Sequence, residues 1–413
     1  MTSEATGGPS LAERPTLRLK PQAEKRVRGG HPWIYSNEIV MEGEAKTLPP
    51  GSVVRFATAN GERLGAFLYN RHPLIAARRL SRDPEVVLDG GWFRDRLRRA
   101  LAIRESLVEG PFYRLVHAEA DGLPGTVIDR FGDHLVLQVN VAGIDAHLDL
   151  LLGALDELLA PRVILLRNDS SARQLEGVES YSRTAKGRLE GPVEIHEHGA
   201  RFLADLGEGQ KTGWFYDQRD NRQFAAALLR GVEGADGKGA RVLDLYSFAG
   251  GFAIQAARAG AAEVVAVDRS APALRLAQQA AALNGVEGRI EFRKSDAFAS
   301  LEFLERKGQL FDLVIADPPA FAKSKKDLPQ ALRAYRKLAR LAAGVVAPGG
   351  YLTLCSCSHH VEAAAFAEQC RRGLFDAGRD ARQLRAAGAA PDHPVHPALP
   401  ESAYLKALFY ALD

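Results

Sequence analysis

At 413 residues the chain exceeds one ordinary domain, and about 100–200 residues per domain points to two or three. Its 46% hydrophobic and 25% charged residues, with no apolar run near the ~18 of a membrane span, describe a globular protein with no membrane partner. A net charge of +3 neither demands nor excludes nucleic acid, and residues 1–11 lack the apolar core of a secretion signal, which points to the cytoplasm. Three cysteines, all beyond residue 350, exclude a disulfide framework and a four-ligand zinc set, so no metal is expected.

Short β-like runs at 16–20, 52–57, 66–69 and 74–80, punctuated by Gly, Pro and Asn, predict a small all-β domain over 1–86. Residues 1–110 hold 18 Lys and Arg against 13 Asp and Glu, with clusters at Lys25-Arg26-Val27-Arg28, Arg78-Arg79 and 94–99. On charge alone, a phosphate-tracking face and an ordinary solvated face fit equally well. Helical spacing between 92 and 108, a hairpin over 125–139, a helix over 143–159 and a strand over 162–166 predict a small α/β domain over 87–190. A hairpin over 189–204, a turn at 211–222 and a helix near 223–229 follow.

From 241 onward strands and helices alternate strictly, with strands at 241–245, 263–267, 290–294, 311–316 and 351–354. Residues 404–412 fit an antiparallel last strand. The prediction over 191–413 is thus a Rossmann-like α/β fold with a parallel sheet and one reversed strand.

The first of these strands carries Asp244 and opens into Tyr246-Ser247-Phe248-Ala249-Gly250-Gly251, a small-residue turn where a ligand can approach the backbone. The pattern is not G-x-G-x-x-G, and Asp244 would repel a pyrophosphate while suiting the cationic amino group of S-adenosylmethionine (SAM). Ser247, Phe248, Ala249 and Gly250 are therefore candidate SAM contacts. Asp268 ends the next strand about 24 residues on and suits the ribose hydroxyls, with Arg269 and Ser270 beside it. Asp296, followed by Ala297, is placed to accept the adenine amino hydrogen. Any one of these acids alone is equally well read as a helix N-cap. Upstream, Lys211 or Arg219 would pair with the cofactor carboxylate, Thr212 would donate its hydroxyl, and Asp217 lies in the same turn.

Asp317-Pro318-Pro319-Ala320-Phe321 follows an apolar strand, and two prolines fix the loop while removing two amide donors. Asp317 can bind the edge of an inserted base, or face the cofactor, and Phe321 can stack on that base or pack as core. Cys357 ends the neighbouring strand. Methylating an exocyclic amine needs no covalent help, whereas C5 of a pyrimidine becomes nucleophilic only after addition at C6, which a thiolate can supply. No group in the sequence stands out as the one that ionises this thiol. Cys355 and Cys370 read as packing residues. His359 and His360 follow the cysteine loop and could serve as the base, but a surface role at a helix start fits them better.

The chain resembles the RlmI-type large-subunit ribosomal RNA cytosine-C5 methyltransferases over most of its length. The resemblance rests on Gly30-His31-Pro32-Trp33-Ile34-Tyr35, Asp121-Gly122-Leu123-Pro124-Gly125, Gly209-Gln210-Lys211-Thr212-Gly213, Asp217-Gln218-Arg219, the Asp317 loop, Ser356-Cys357-Ser358 and Asp392-His393-Pro394. It implies an N-terminal PUA domain binding ribosomal RNA, for which Lys25, Arg26, Arg28, His31 and Trp33 are the candidates. It also implies a central α/β domain, a C-terminal class I SAM-binding domain, Cys357 as nucleophile, and a homodimer. Two rivals remain, an N-methyltransferase acting at the Asp317 loop and an RNA-binding assembly factor that holds SAM without catalysis.

Overall fold

The computed structural model describes residues 14–207, 213–234 and 237–413. It divides into two compact units, the first formed by residues 14–190 with Asp392–Pro400, the second by Gly191–Pro391 with Glu401–Asp413. No helix among the described residues is long and apolar enough to cross a membrane.

The first unit begins with β1 (Thr16–Arg18), α1 (Glu24–Arg28), β2 (Trp33–Tyr35), β3 (Ser52–Ala57), β4 (Arg63–Tyr69) and β5 (Ile75–Ser81), the strands ordered β1-β3-β4-β5-β2. Leu17, Ile34, Val54, Phe56, Phe67 and Tyr69 form its core. Then come α2 (Gly90–Leu107), β6 (Phe112–His117), β7 (Thr126–Phe131), β8 (His134–Val139), α3 (Ala142–Asp145), α4 (Leu148–Leu159), β9 (Val163–Asn168), α5 (Ser171–Glu176) and β10 (Tyr181–Lys186). These strands make a second sheet, β10-β9-β8-β7-β6, in which β8 and β9 are parallel and the other pairs antiparallel. Asp89 caps α2 by accepting the Trp92 amide hydrogen at 2.8 Å. Ala66, Leu68 and Leu80 pack in one core with Trp92, Phe93 and Leu97, so residues on both sides of position 86 share buried surface.

The second unit holds β11 (Val193–Glu197), β12 (Ala200–Ala204), α6 (Arg219–Ala227), β13 (Arg241–Leu245), α7 (Gly251–Arg258), β14 (Glu263–Asp268), α8 (Ala271–Leu283), β15 (Ile290–Lys294), α9 (Ala297–Arg306), β16 (Phe311–Ala316), α10 (Leu328–Gly344), β17 (Val346–Ser356), α11 (Ala363–Asp376), β18 (Ala381–Ala387) and β19 (Lys406–Leu412). Its seven-stranded sheet runs β15-β14-β13-β16-β17-β19-β18. The strands from β15 to β17 are parallel, and β19 is antiparallel to both its neighbours. The central strands are buried end to end because helices cover both faces. This is the Rossmann-like sheet with a reversed last strand expected from the alternation of elements. Sequence order reverses between β13 and β16, and ligands bind outside strand carboxyl ends at such a switch.

Candidate active site

Since β13, β14 and β16 are parallel neighbours, the acids at their carboxyl ends share one rim. Asp244 is buried and accepts the Ala253 amide hydrogen at Oδ2 (3.0 Å). Its Oδ1 has no hydrogen-bond partner among the described residues, and neither has the buried Ser247 Oγ. Burial is the main force pushing the Asp244 carboxyl up to about 7. The Ser247 hydroxyl, close by yet outside hydrogen-bond geometry, and the Ala253 amide oppose that rise, while the charges of Asp317 and Asp268 add to it. A buried carboxylate with an open oxygen suits a cationic ligand group, which would restore its charge.

Tyr246 (φ 62°), Phe248 (φ 49°) and Gly250 (φ 81°) all adopt left-handed backbone in the turn after β13. For residues with a Cβ each such position costs about 1–3 kcal/mol, so the surroundings must hold it. They do so through the Ser247 amide on Val267 O (3.0 Å), the Gly250 amide on Ser247 O (2.8 Å) and the Phe248 amide on Asp268 Oδ2 (2.8 Å). A Cβ at Gly250 would lie 3.0 Å from that of Ala277. Asp268 thus braces the turn, with Oδ1 accepting from the Ser270 amide at 2.7 Å. Each of its oxygens keeps a second lone pair for a ribose hydroxyl. Asp296 is the N-cap of α9, accepting from the Ala299 amide at 3.1 Å, with Arg269 3.8 Å away and Ala297 buried behind it. Ala249 is fully buried, and Phe248 packs edge-on against Phe215 at 5.3 Å.

Asp217 and Arg219 are buried in the same unit: Asp217 Oδ2 accepts the Tyr404 hydroxyl hydrogen, its Oδ1 has no hydrogen-bond partner among the described residues, and Arg219 lies 5.3 Å from the Tyr216 ring. Lys211 and Thr212 lie outside the described residues.

The Asp317 amide donates to Leu245 O at 3.4 Å, which ties the start of the Asp-Pro-Pro loop to β13. Cys357 follows the end of β17, the strand next to β16, and its Sγ lies 3.9 Å from Pro318 O. Cys357 is half-buried, whereas Cys355 and Cys370 are buried and burial pushes both thiols up. The residues flanking Cys357 are pinned. Ser356 Oγ donates to the Tyr335 hydroxyl (2.8 Å), and that hydroxyl pairs with Ser358 Oγ (2.9 Å). The Tyr335 ring also packs, tilted, against Phe321 at 4.7 Å, so Phe321 is half-buried in a cluster that includes Phe298. His359 is exposed and stacks on the Tyr404 ring at 5.0 Å, and His360 is exposed beside it.

Sequence reasoning missed two residues here. Tyr335 carries no signal within its amphipathic helix. Lys406 does, as a lone cation opening an apolar strand. It pairs in register with Ser356, is only 7% exposed, and Nζ donates to Ser358 O (2.7 Å) and Tyr404 O (2.8 Å). Burial lowers Lys406 to about 8, and the neighbouring Cys357 acts against that fall.

The family model described as S-adenosylmethionine-dependent methyltransferase matches residues 179–411, and a PUA-like domain model matches 17–82. A protein named ribosomal RNA large subunit methyltransferase I from Aeromonas hydrophila is 38% identical over 95% of this chain and 98% of its own. The chain belongs to this family of SAM-dependent methyltransferases. Its cofactor is SAM, and its fold is the class I methyltransferase fold with an N-terminal PUA-like domain. A structure described as a SAM-dependent methyltransferase from Streptococcus mutans shares the fold at 20% identity, with a TM-score of 0.79 over 96% of this chain and all of that one. Another methyltransferase structure, complexed with SAH, gives 0.81 at the same identity and coverage.

In the methyltransferase's first unit, the basic cluster is largely paired internally. Arg26 lies 2.7 Å from Glu38 and over the Tyr35 ring, Arg28 pairs with Glu62, and Lys25 is exposed. His31 is buried, with Nδ1 accepting the Trp33 amide hydrogen (3.1 Å), and the Trp33 indole donates to Glu119 (2.8 Å).

Proposed function

We propose that this methyltransferase methylates C5 of a cytosine in large-subunit ribosomal RNA through a covalent adduct between Cys357 and C6 of the base. The observation that carries the reading is the place of Cys357, the one half-exposed cysteine, against Pro318 of the Asp-Pro-Pro loop. The substrate class comes from relatives named for ribosomal RNA, and from the PUA-like match. An exposed basic rim adds support: Lys323, Lys325 and Lys326 follow that loop, His359 and His360 follow Cys357, and none of the three lysines makes an ion pair among the described residues.

Asp244, Ser247, Asp268 and Asp217 would hold SAM, since two of these carboxylates and the hydroxyl offer buried oxygens without a hydrogen-bond partner among the described residues. When bound, SAM would supply an electrophilic methyl group, the electron pair of the broken sulfur–methyl bond staying on sulfur as S-adenosylhomocysteine leaves. The Cys357 thiolate adds its electron pair to C6, breaking the C5–C6 π bond and placing that pair on C5, which takes up the methyl group. A base then removes the C5 proton, the double bond re-forms, and Cys357 departs with the electron pair of the sulfur–carbon bond. Asp317 accepts a hydrogen from the cytosine amino edge and fixes the ring. Residues 1–86 serve as RNA-binding module, 87–190 as connecting domain and 191–413 as catalytic domain of a cytoplasmic homodimer in ribosomal RNA processing.

Ribosomal RNA transcribed with 5-fluorocytosine tests the covalent step, because fluorine cannot leave as a proton does and the adduct persists. The wild type should form a SAM-dependent species surviving denaturing electrophoresis, and Cys357→Ala should not. Undiminished methyl transfer by Cys357→Ala would refute the covalent route.

A further inference from the structure

We infer that the Lys406 ammonium is the positioning residue that holds Cys357 as a thiolate, an inference that rests on Cys357 being the nucleophile proposed above. The reversed last strand supplies the charge. Antiparallel pairing of β19 with β17 sets Lys406 opposite Ser356, one residue before the nucleophile. Two carbonyl oxygens, Ser358 O and Tyr404 O, hold Nζ from one side and take two of its three hydrogens. The Ser358 carbonyl belongs to the residue just after Cys357, so the ammonium is held next to the nucleophile's backbone.

Among the described residues, the other groups near the thiol leave room for this cation's charge. Cys357 lies near the Tyr335 hydroxyl, its Sγ is 3.9 Å from the carbonyl of Pro318, the residue after Asp317, and the charges of Asp317 and Asp217 both act on the neighbouring Cys355. None of these stabilises a second anion. Tyr335 is committed to Ser356 and Ser358, and Asp317 repels negative charge. Lys406 is a cation whose interaction with Cys357 opposes its own loss of charge on burial, and the same attraction acts in return on the thiolate. The proton lost by the thiol goes to bulk water, and the ion pair that remains carries no net charge in the partly buried site.

The test reads the thiol itself, not methyl transfer. The rate of iodoacetamide alkylation of Cys357 is followed against pH by peptide mass spectrometry, with the buried Cys355 and Cys370 as internal folding controls. Wild-type Cys357 should titrate at least about one pH unit below an ordinary cysteine near 8.5. Lys406→Met should move the profile up by about one unit or more, and Lys406→Arg, which keeps the charge, should move it less. Lys406→Gln, which can still bond both carbonyls, replaces the Met variant if Cys355 or Cys370 becomes labelled. An ordinary wild-type profile, an unmoved Met or Gln profile, or equal shifts in Arg and Gln would overturn the inference. Loss of methyl transfer with the wild-type thiol profile still low would count against the proposed reaction and leave the ion pair standing.

Discussion

At the scale of single residues, burial decides which acids can change charge near neutrality. Asp244 is raised from an ordinary carboxyl to about 7, so it is partly protonated at neutral pH in the absence of ligand. In the unliganded protein this group's contribution to stability is fully present below about pH 4 and is lost as pH rises through about 7. SAM binding, which draws on the carboxylate, runs the other way. The SAM dissociation constant should rise up to about tenfold per pH unit below 7, and calorimetry from pH 6 to 8 measures it. Asp244→Asn should bind SAM more weakly with a flat profile; a flat wild-type profile would contradict the assignment. Asp244, Asp268 and Asp317 were legible because each stands at the end of an apolar run, whereas Asp296 follows the polar edge strand β15. Their second duties were not: that Asp268 braces Phe248 and Asp296 caps α9 depends on backbone amides brought near by the fold. Lys406 was legible only as an oddity, since its meaning depends on which strand β19 pairs with.

Among the elements, the parallel strands could be read because burial on both faces leaves unbroken apolar runs. Four strands could not, of which the three-residue β2 is the shortest. β18 reads Ala-Arg-Gln-Leu-Arg-Ala-Ala, a helix-like composition, and forms an exposed edge strand only because β19 offers a free edge. β10 is an edge strand with no buried residue, and β6 hides its alternation behind Arg114, whose charge is met by Asp129 at 2.7 Å. Two sequence signatures proved to be scaffolding within the first unit. Asp121 accepts both Arg104 guanidinium nitrogens (2.5 and 2.8 Å), and Arg104 also donates to Asp392 O. Gly125, at φ 60°, has no room for a side chain, because a Cβ would lie 2.3 Å from Val141. Arg104 is fully buried, so Asp121→Asn should destabilise this unit by about 3–5 kcal/mol, read from urea denaturation. A change below about 1 kcal/mol would show that the pair does not hold the α2–β6 region.

Across the whole molecule, net charge hides where cations are available. The N-terminal cluster that looked like an RNA face spends Arg26 and Arg28 on internal acids, whereas the lysines beside Cys357 stay unpaired among the described residues. Replacing Lys323, Lys325 and Lys326 with Ala should lower the slope of log binding constant against log salt by about 2, at about 0.7 per phosphate contact on single-stranded RNA. An unchanged slope would place the phosphate contacts elsewhere. The family was legible from motifs spread along the chain, but the base is decided by chemistry at one sheet edge. The most direct measurement is nucleoside mass spectrometry of large-subunit ribosomal RNA incubated with this protein and methyl-deuterated SAM. The account predicts deuterated 5-methylcytidine, lost in Cys357→Ala; label on an exocyclic nitrogen, or no label in any RNA presented, would contradict it.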